Sequence, residues 1–269
     1  MPRGGDPSHR CEAANLSVLL HPAFLLCFLL MKEREALKSV AIVPAAGTGA
    51  RMGRSLKKQF LLLDGQPILT RTIGVLESCP EIDAVILVVP EEERDFCENR
   101  IVADNGFAKV VAVVTGGTER QDSVYKGLQC LDQDTGVVLV HDGVRPFLTA
   151  TMVRETTAAA ASGISAVVGV PIADTVKSVG PGGLVMNTLS RNKLWSIQTP
   201  QAFPLATLME AYDRALGDGY RGTDDASLVE RLGRPVRVLM GSRYNIKITT
   251  PEDLVIGEAI LGQRERERC

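Results

Sequence analysis

From Ser39 onward, short runs rich in β-branched residues alternate with segments of helical period, a rhythm that few folds other than a largely parallel sheet covered by helices can accept. The strand-like runs are Val40 to Val43, Val85 to Val89, Val110 to Val114, Val137 to Val140, Ala166 to Val170 and Val236 to Met240. Helical periodicity falls around Ile68 to Ser78, Glu91 to Asn105, Ser123 to Leu131, Ala150 to Ser162, Pro204 to Leu216, Ala226 to Leu232 and Pro251 to Leu261. The succession predicts one α/β, doubly wound domain with a mainly parallel sheet over residues 39–263. One stretch departs from it. Ala173 to Val179 and Leu184 to Leu189 are strand-like runs joined by Gly180, Pro181, Gly182 and Gly183, which is a hairpin signal. A hairpin has no obvious place inside a parallel sheet, so residues 171–191 are expected to project as an arm and to meet a partner subunit.

Charge narrows the partners. With 30 Lys and Arg against 32 Asp and Glu, the chain has no basic field for nucleic acid or an anionic membrane, so small molecules and further copies of itself are expected. The six cysteines, Cys11, Cys27, Cys79, Cys97, Cys130 and Cys269, include no C-x-x-C pair, and the three histidines are dispersed. Neither a disulfide framework nor a zinc cluster is expected, and a reducing, cytoplasmic setting fits this usage.

Directly after the first strand comes Pro44-Ala45-Ala46-Gly47-Thr48-Gly49-Ala50-Arg51-Met52-Gly53. Small residues let backbone N–H groups approach phosphate oxygens, and Gly47 and Gly49 can adopt the positive φ that such a cradle needs. A plain turn after a strand explains the glycines equally well. Gly47, Gly49 and Gly53 also approximate a dinucleotide fingerprint, with Asp64 at a suitable distance onward. Spacing argues against it, because six residues separate Gly53 from Phe60, where a crossover between parallel strands takes roughly a dozen or more. Those residues include Arg54, Lys57 and Lys58, so the segment reads as a basic loop. Arg51, Lys57 and Lys58 could hold a triphosphate and stabilise charge on a transferring phosphoryl group.

Val137 to Val140 runs into His141-Asp142-Gly143-Val144-Arg145-Pro146. Ligands of open α/β sheets bind outside the carboxyl ends of the strands, where Asp142 is expected, and one carboxylate with substrate phosphates suits Mg²⁺. A D-G turn between two strands is the competing reading, against which stand Pro146 and a helix opening at Thr149. Gly116-Gly117-Thr118-Glu119-Arg120-Gln121-Asp122-Ser123 follows another strand and opens a helix, which suits either simple capping or recognition of a base edge.

Taken in order, PAAGTGARMG, KKQF, GGTERQDSV, HDGVRPF, ADTVK, RNKLWSIQTPQAF, GTDDASLVE and NIKITTPEDL resemble the 2-C-methyl-D-erythritol 4-phosphate cytidylyltransferase family from about Val40 to Leu261. The resemblance implies a Rossmann-like nucleotidyltransferase fold that transfers CMP from CTP to methylerythritol phosphate, releasing pyrophosphate for non-mevalonate isoprenoid synthesis, as a homodimer using Mg²⁺. By position it places the CTP phosphates on Ala45 to Arg51, including Gly47, Thr48 and Gly49. Arg51 and Lys58 take the stabilisation of the transition state, and Pro44, Ala45, Ala46, Gly117 and Ser123 surround the cytosine. Asp142 takes the metal, while Arg145, Thr175, Arg191, Thr199 and Lys247 bind the acceptor, Thr175 and Arg191 reaching it across the dimer. Thr118, Lys57 and Ser190 depart from residues frequent in the family. A ribitol-5-phosphate cytidylyltransferase shares the HDxxRPF and QTPQ segments, but ADTVK with GTDDASL favours the methylerythritol enzyme. A non-catalytic nucleotide binder would be expected to have lost Arg51, Lys58 or Asp142.

Ahead of this region, Leu16 to Met31 is an apolar run of sixteen behind Arg3 and Arg10, reminiscent of a signal peptide. It is short for a membrane span, and Lys32, Glu33, Arg34 and Glu35 follow where a small-x-small cleavage site would lie. Residues 1–38 are therefore expected to stand outside the fold as an extension, with Met31 the start, and residues 264–269 to form a charged tail. N-terminal sequencing of the native protein should begin at Met31; an end further upstream would give the apolar run a role of its own.

Overall fold

The computed structural model describes residues 37–47 and 57–268. Within them the chain runs β1 (Lys38–Pro44), β2 (Leu62–Leu63), β3 (Gln66–Pro67), α1 (Ile68–Ser78), β4 (Ala84–Val89), β5 (Val110–Thr115), α2 (Arg120–Leu128), β6 (Thr135–Val140), α3 (Ala150–Ala161) and β7 (Ser165–Pro171). It continues through β8 (Val176–Val179), β9 (Val185–Leu189), β10 (Trp195–Pro204), α4 (Leu205–Gly217), α5 (Asp225–Arg231), β11 (Val236–Met240) and α6 (Pro251–Arg268). Seven strands form one sheet in the order β11-β7-β10-β6-β1-β4-β5. Neighbours are parallel except at β10, which runs antiparallel to both β6 and β7.

Period-two alternation divides each inner strand between two apolar layers. Ala41, Val43, Val85, Leu87 and Leu139 pack with Leu69, Ile73 and Leu76 of α1 and Met152 and Val153 of α3. On the other face Val40, Ile42, Ile86, Val88, Val138 and Val140 pack with Val124 and Leu128 of α2 and Leu208, Ala211 and Tyr212 of α4. Burying each Val, Leu or Ile side chain contributes about 1.5–3 kcal/mol, so the two layers fix the strand register and with it the positions of the strand ends.

The six expected strands all form, and the arm is an antiparallel pair of β8 and β9. Its turn uses Gly182 and Gly183 at φ of 73° and 76°, a region open to glycine. Three features differ from the sequence reading. β10 was not anticipated as a strand, because Thr199, Pro200 and Gln201 interrupt its apolar run; Pro200 is tolerated where the pairing with β7 shifts register between Ile197 and Gln201. The segment from Glu91 to Asn105 is not one helix but a succession of short 3₁₀, α and π turns. There the Asn99 amide donates to the Asp95 carbonyl and the Asn105 amide to the Arg100 and Ile101 carbonyls, competing with a regular ladder. α2 starts at Arg120 because Glu119 and Asp122 cap it reciprocally. In keeping with the spacing argument against a dinucleotide site, Asp64 and Gly65, at φ of 48° and 71°, form the tight turn joining β2 to β3.

α2 lies unusually close to the sheet, because a Cβ at Gly127 would stand 2.7 Å from Ile42 Cγ2 and 3.3 Å from Val88 Cγ2. Gly127→Val should lower unfolding stability by about 1–3 kcal/mol in a denaturant titration, since the β-branched Ile42 and Val88 side chains beneath it cannot swing aside.

Candidate active site

β4 and β5 lie to one side of β1 and β6 to the other, so the carboxyl ends of β1 and β6 flank the switch point of the sheet, where open α/β sheets bind ligands. The turn after β1 is pinned there by backbone: Ala45 N–H donates to the Val88 carbonyl at 2.7 Å, and Gly143 N–H to the Pro44 carbonyl at 3.2 Å. The buried Gln59 amide donates to the Ala45 carbonyl at 2.7 Å, tying in the short turn that carries Lys58. Across the gap, Gly117 N–H donates to Ser123 Oγ at 3.1 Å. A Cβ on Gly116 would come within 2.4 Å of the Ala46 Cβ, so only glycine lets the turns after β1 and β5 approach this closely. The resulting cavity is lined by the small residues Ala45, Ala46, Gly117 and Ser123 together with the charged Lys58, Arg120, Asp142 and Lys247.

Asp142 is the electrostatic centre. Its Oδ1 accepts from Arg120 Nε at 3.0 Å, and its Oδ2 pairs with Lys247 Nζ at 2.9 Å and Arg145 Nε at 3.3 Å. Burial pushes this carboxyl up, but the charges of Arg120, Lys247 and Arg145 outweigh burial and hold it well below the usual carboxylate range. Arg120 reaches onward, donating from Nη2 to Asp225 Oδ2 at 2.8 Å, while the Tyr212 hydroxyl donates to Asp225 Oδ1 at 2.6 Å. Burial lowers the Arg120 guanidinium's affinity for its proton, and the two aspartates reverse this to a net rise. His141, fully buried, is pulled down to about 4, chiefly by burial, and is neutral at physiological pH.

Of the residues singled out in the sequence, Pro44, Ala45, Ala46, Gly47, Lys58, Gly117, Ser123, Asp142 and Lys247 line this one cavity. Arg145 and Thr199 are not in its lining but join Asp142, through the Arg145 guanidinium and through the Asp142 N–H, which donates to Thr199 Oγ1 at 3.0 Å. Thr175 and Arg191 are exposed at the base of the arm, where Arg191 Nη1 donates to the Ala173 carbonyl. Thr48, Gly49 and Arg51 lie outside the described residues. Lys57 does not join the cavity as its basic neighbourhood suggested: it pairs with Glu92 and, at 3.7 Å, with Glu93. Capping and cavity lining coincide in GGTERQDSV, since Glu119 both caps α2 and faces the cavity. Arg120, Asp225 and Tyr212 were the residues missed. Their signal is the Arg within GGTERQDSV and the paired Asp of GTDDASLVE, whose partnership lies 105 residues apart in sequence.

A doubly wound sheet whose switch-point cavity is lined by small residues and by Lys58, Arg120 and Lys247 suits a nucleotidyltransferase. The family model for IspD, 2-C-methyl-D-erythritol 4-phosphate cytidylyltransferase, matches residues 39–263. The chain belongs to that family. It is 48% identical over 227 residues to the 2-C-methyl-D-erythritol 4-phosphate cytidylyltransferase of Geobacter metallireducens, covering 83% of this chain and 97% of that one. It is 46% identical over 234 residues to the Geotalea uraniireducens enzyme of the same name, covering 86% and 100%. The crystal structure of the 4-diphosphocytidyl-2C-methyl-D-erythritol synthase from Anaerococcus prevotii superposes with a TM-score of 0.74 at 32% identity, covering 84% of this chain and 97% of that one.

Because His141 stays neutral in the fold down to about 4 while an exposed imidazole titrates near 6.5, the unfolded chain takes up the proton first as pH falls. The full stability is therefore present above about pH 6.5, and about 3 kcal/mol should be lost between there and pH 4. Urea midpoints followed against pH should show that slope in the wild type and lose it in His141→Gln.

Proposed function

We propose that the chain transfers CMP from CTP to 2-C-methyl-D-erythritol 4-phosphate, forming 4-diphosphocytidyl-2-C-methyl-D-erythritol and pyrophosphate in non-mevalonate isoprenoid precursor synthesis. Its family membership supports the substrates, and the observation that carries the mechanism is the cavity itself, whose one lining gathers Lys58, Arg120 and Lys247 with Ala46, Gly117 and Ser123, small residues that leave a recess. The recess suits a pyrimidine, selected by fit and by the polar groups that a wrong base would leave unpaired. The acceptor's phosphate is already anionic and attacks the α-phosphorus of CTP in line, so no general base is required, and catalysis consists of positioning and charge stabilisation. Lys58, with Arg51, holds the triphosphate and stabilises the charge that develops in the transition state.

Asp142 suits Mg²⁺. An ionised carboxylate offers roughly four acceptor sites, of which three are engaged by Arg120, Arg145 and Lys247, and Mg²⁺ takes one or two carboxylates and completes its shell with phosphate oxygens and water. A bound Mg²⁺ would neutralise phosphate charge at the reacting centre. No group of three or more His, Cys, Asp or Glu among the described residues forms a cage of its own, in keeping with a metal shared with the substrate.

The acceptor is held by Arg145, Lys247 and Thr199 beside the cavity, completed by Thr175 and Arg191 from the arm of a second subunit. Support for the homodimer comes from the apolar side chains Leu184, Val185 and Met186, which the arm leaves 73%, 59% and 71% exposed. The free thiols Cys79, Cys97 and Cys130 support a reducing, cytoplasmic setting, and no helix among the described residues is long and apolar enough to cross a membrane.

Purified protein given CTP, Mg²⁺ and methylerythritol phosphate should release pyrophosphate, whereas ribitol 5-phosphate in its place should give none; the reverse result would reassign the acceptor. Lys58→Ala should retain the wild-type circular dichroism and thermal midpoint but lose about 10²- to 10³-fold in kcat, and a rate near wild type would remove Lys58 from its role.

A further inference from the structure

The turn between β6 and Pro146 carries Asp142 and Arg145, yet its backbone makes no ladder with a following strand. Beside the backbone bonds from Gly143 N–H to the Pro44 carbonyl, Arg145 N–H to the Asp142 carbonyl and Ile248 N–H to the Val144 carbonyl, a chain of three hydrogen bonds through side chains ties the turn to β10. His141 Nε2 meets the Arg145 carbonyl at 3.0 Å, His141 Nδ1 meets Thr199 Oγ1 at 3.0 Å, and Thr199 Oγ1 meets the Asp142 backbone N–H at 3.0 Å. His141, Asp142 and Thr199 are 0%, 5% and 4% exposed, so water does not compete.

The two ends of this chain fix the direction of every bond. A carbonyl only accepts, so His141 Nε2 carries the proton and donates to Arg145. An amide N–H only donates, so Thr199 Oγ1 accepts from Asp142. In a neutral imidazole Nδ1 is then an acceptor, and the Thr199 hydroxyl proton must go to it. Both ends of the turn are thereby tied to Thr199 of β10, Asp142 directly and Arg145 through the His141 ring.

We propose that His141 is a positioning residue for nucleotidyl transfer, whose Nε2–H tautomer, locked between Arg145 and Thr199, sets the Asp142 carboxylate and the Arg145 guanidinium against the reacting groups. Thr199 belongs to the same device: its proton is committed to His141, so one remaining lone pair is what it offers an acceptor. The device acts on geometry, since moving the backbone at either 142 or 145 displaces the acid that three cations surround or one of those cations. The inference rests on the cytidylyl-transfer reading for its kinetic consequence, but the hydrogen-bond assignment stands independently of any activity.

The test therefore has two arms. In ¹⁵N-labelled, ligand-free protein at pH 7, long-range ¹⁵N–¹H correlation of the His141 ring should show a protonated Nε2 and an unprotonated, hydrogen-bond-accepting Nδ1; a protonated Nδ1 overturns the proposal. Pyrophosphate release with CTP and methylerythritol phosphate is then compared for wild type, His141→Asn, Thr199→Val, the double variant and Thr199→Ser. Each of the first two single variants should lower kcat about 30-fold while leaving the KM for CTP within about threefold, because a buried group is left unpaired next to the reacting centre and the base recess is untouched. The double variant should be no more than about threefold slower than the slower single one, as expected for residues acting as one unit, and Thr199→Ser should recover to within about threefold of wild type. Folded single variants within twofold of wild type, or losses that multiply in the double variant, overturn the proposal. Should His141→Asn fail to fold, the ring tautomer and the Thr199→Val against Thr199→Ser comparison decide it. An inactive wild type would refute the assigned reaction and leave the tautomer result to judge the hydrogen-bond chain alone.

Discussion

The buried carboxylate of Asp142 is the constraint around which the site is organised. Removing a carboxylate from water costs several kcal/mol unless charges and hydrogen bonds replace the lost hydration, and here three cations do so. Those cations come from the first turn of α2, from the turn after β6 and from the segment beyond β11. To satisfy one acid, the fold must bring three distant stretches of chain together. The surplus of positive charge this creates in a partly desolvated cleft is suited to polyphosphate, so the demand of a buried acid and the demand of the substrate are met by the same groups.

A second acid extends the arrangement. Arg120 lies between Asp142 and Asp225, and Asp225 is held in turn by the Tyr212 hydroxyl from α4. Burial raises the Tyr212 hydroxyl well above the usual phenol range, and the neighbouring Asp225 adds to this, so Tyr212 remains a hydrogen-bond donor throughout any physiological pH. The wall of the cavity is thus braced from the layer of helices beneath it, and the guanidinium's planar fork is what allows one side chain to serve two carboxylates at once.

Much of this was legible in the sequence because it depends on local signals. Period-two runs gave the six expected strands, paired glycines gave the arm's turn, and small residues after β1 marked the face where ligands approach. What escaped reading depends on contacts distant in sequence. β10 looks unlike a strand because its centre is polar, yet Thr199 and Gln201 are polar precisely where they serve neighbours: Thr199 the turn at Asp142, and Gln201 the N-terminus of α5, through Asp224 Oδ2 and the Ala226 N–H. Arg120 could be read as an ordinary first-turn residue, since its partner Asp225 is visible only once the sheet is assembled. Lys57 and Lys58 are indistinguishable by composition, and it is the change from extended backbone at Lys57 to the 3₁₀ turn Lys58–Phe60 that sends one to Glu92 and the other into the cavity.

The antiparallel strand has a consequence for how the molecule comes into being. β6 and β7 are not hydrogen-bonded to each other; β10 fills the place between them and pairs with both. During synthesis from the amino terminus, β1, β4, β5, β6 and β7 emerge first, followed by the whole arm, before the strand that unites them exists. Closure of the sheet is therefore a late, long-range event of the kind that slows folding. Because Thr199 arrives on that strand, the turn bearing Asp142 is tied to β10 as the two halves of the sheet join, and Asn245, Lys247 and Ile248, which also hold that turn, follow from beyond β11, so completion of the site waits on the carboxyl-terminal segment.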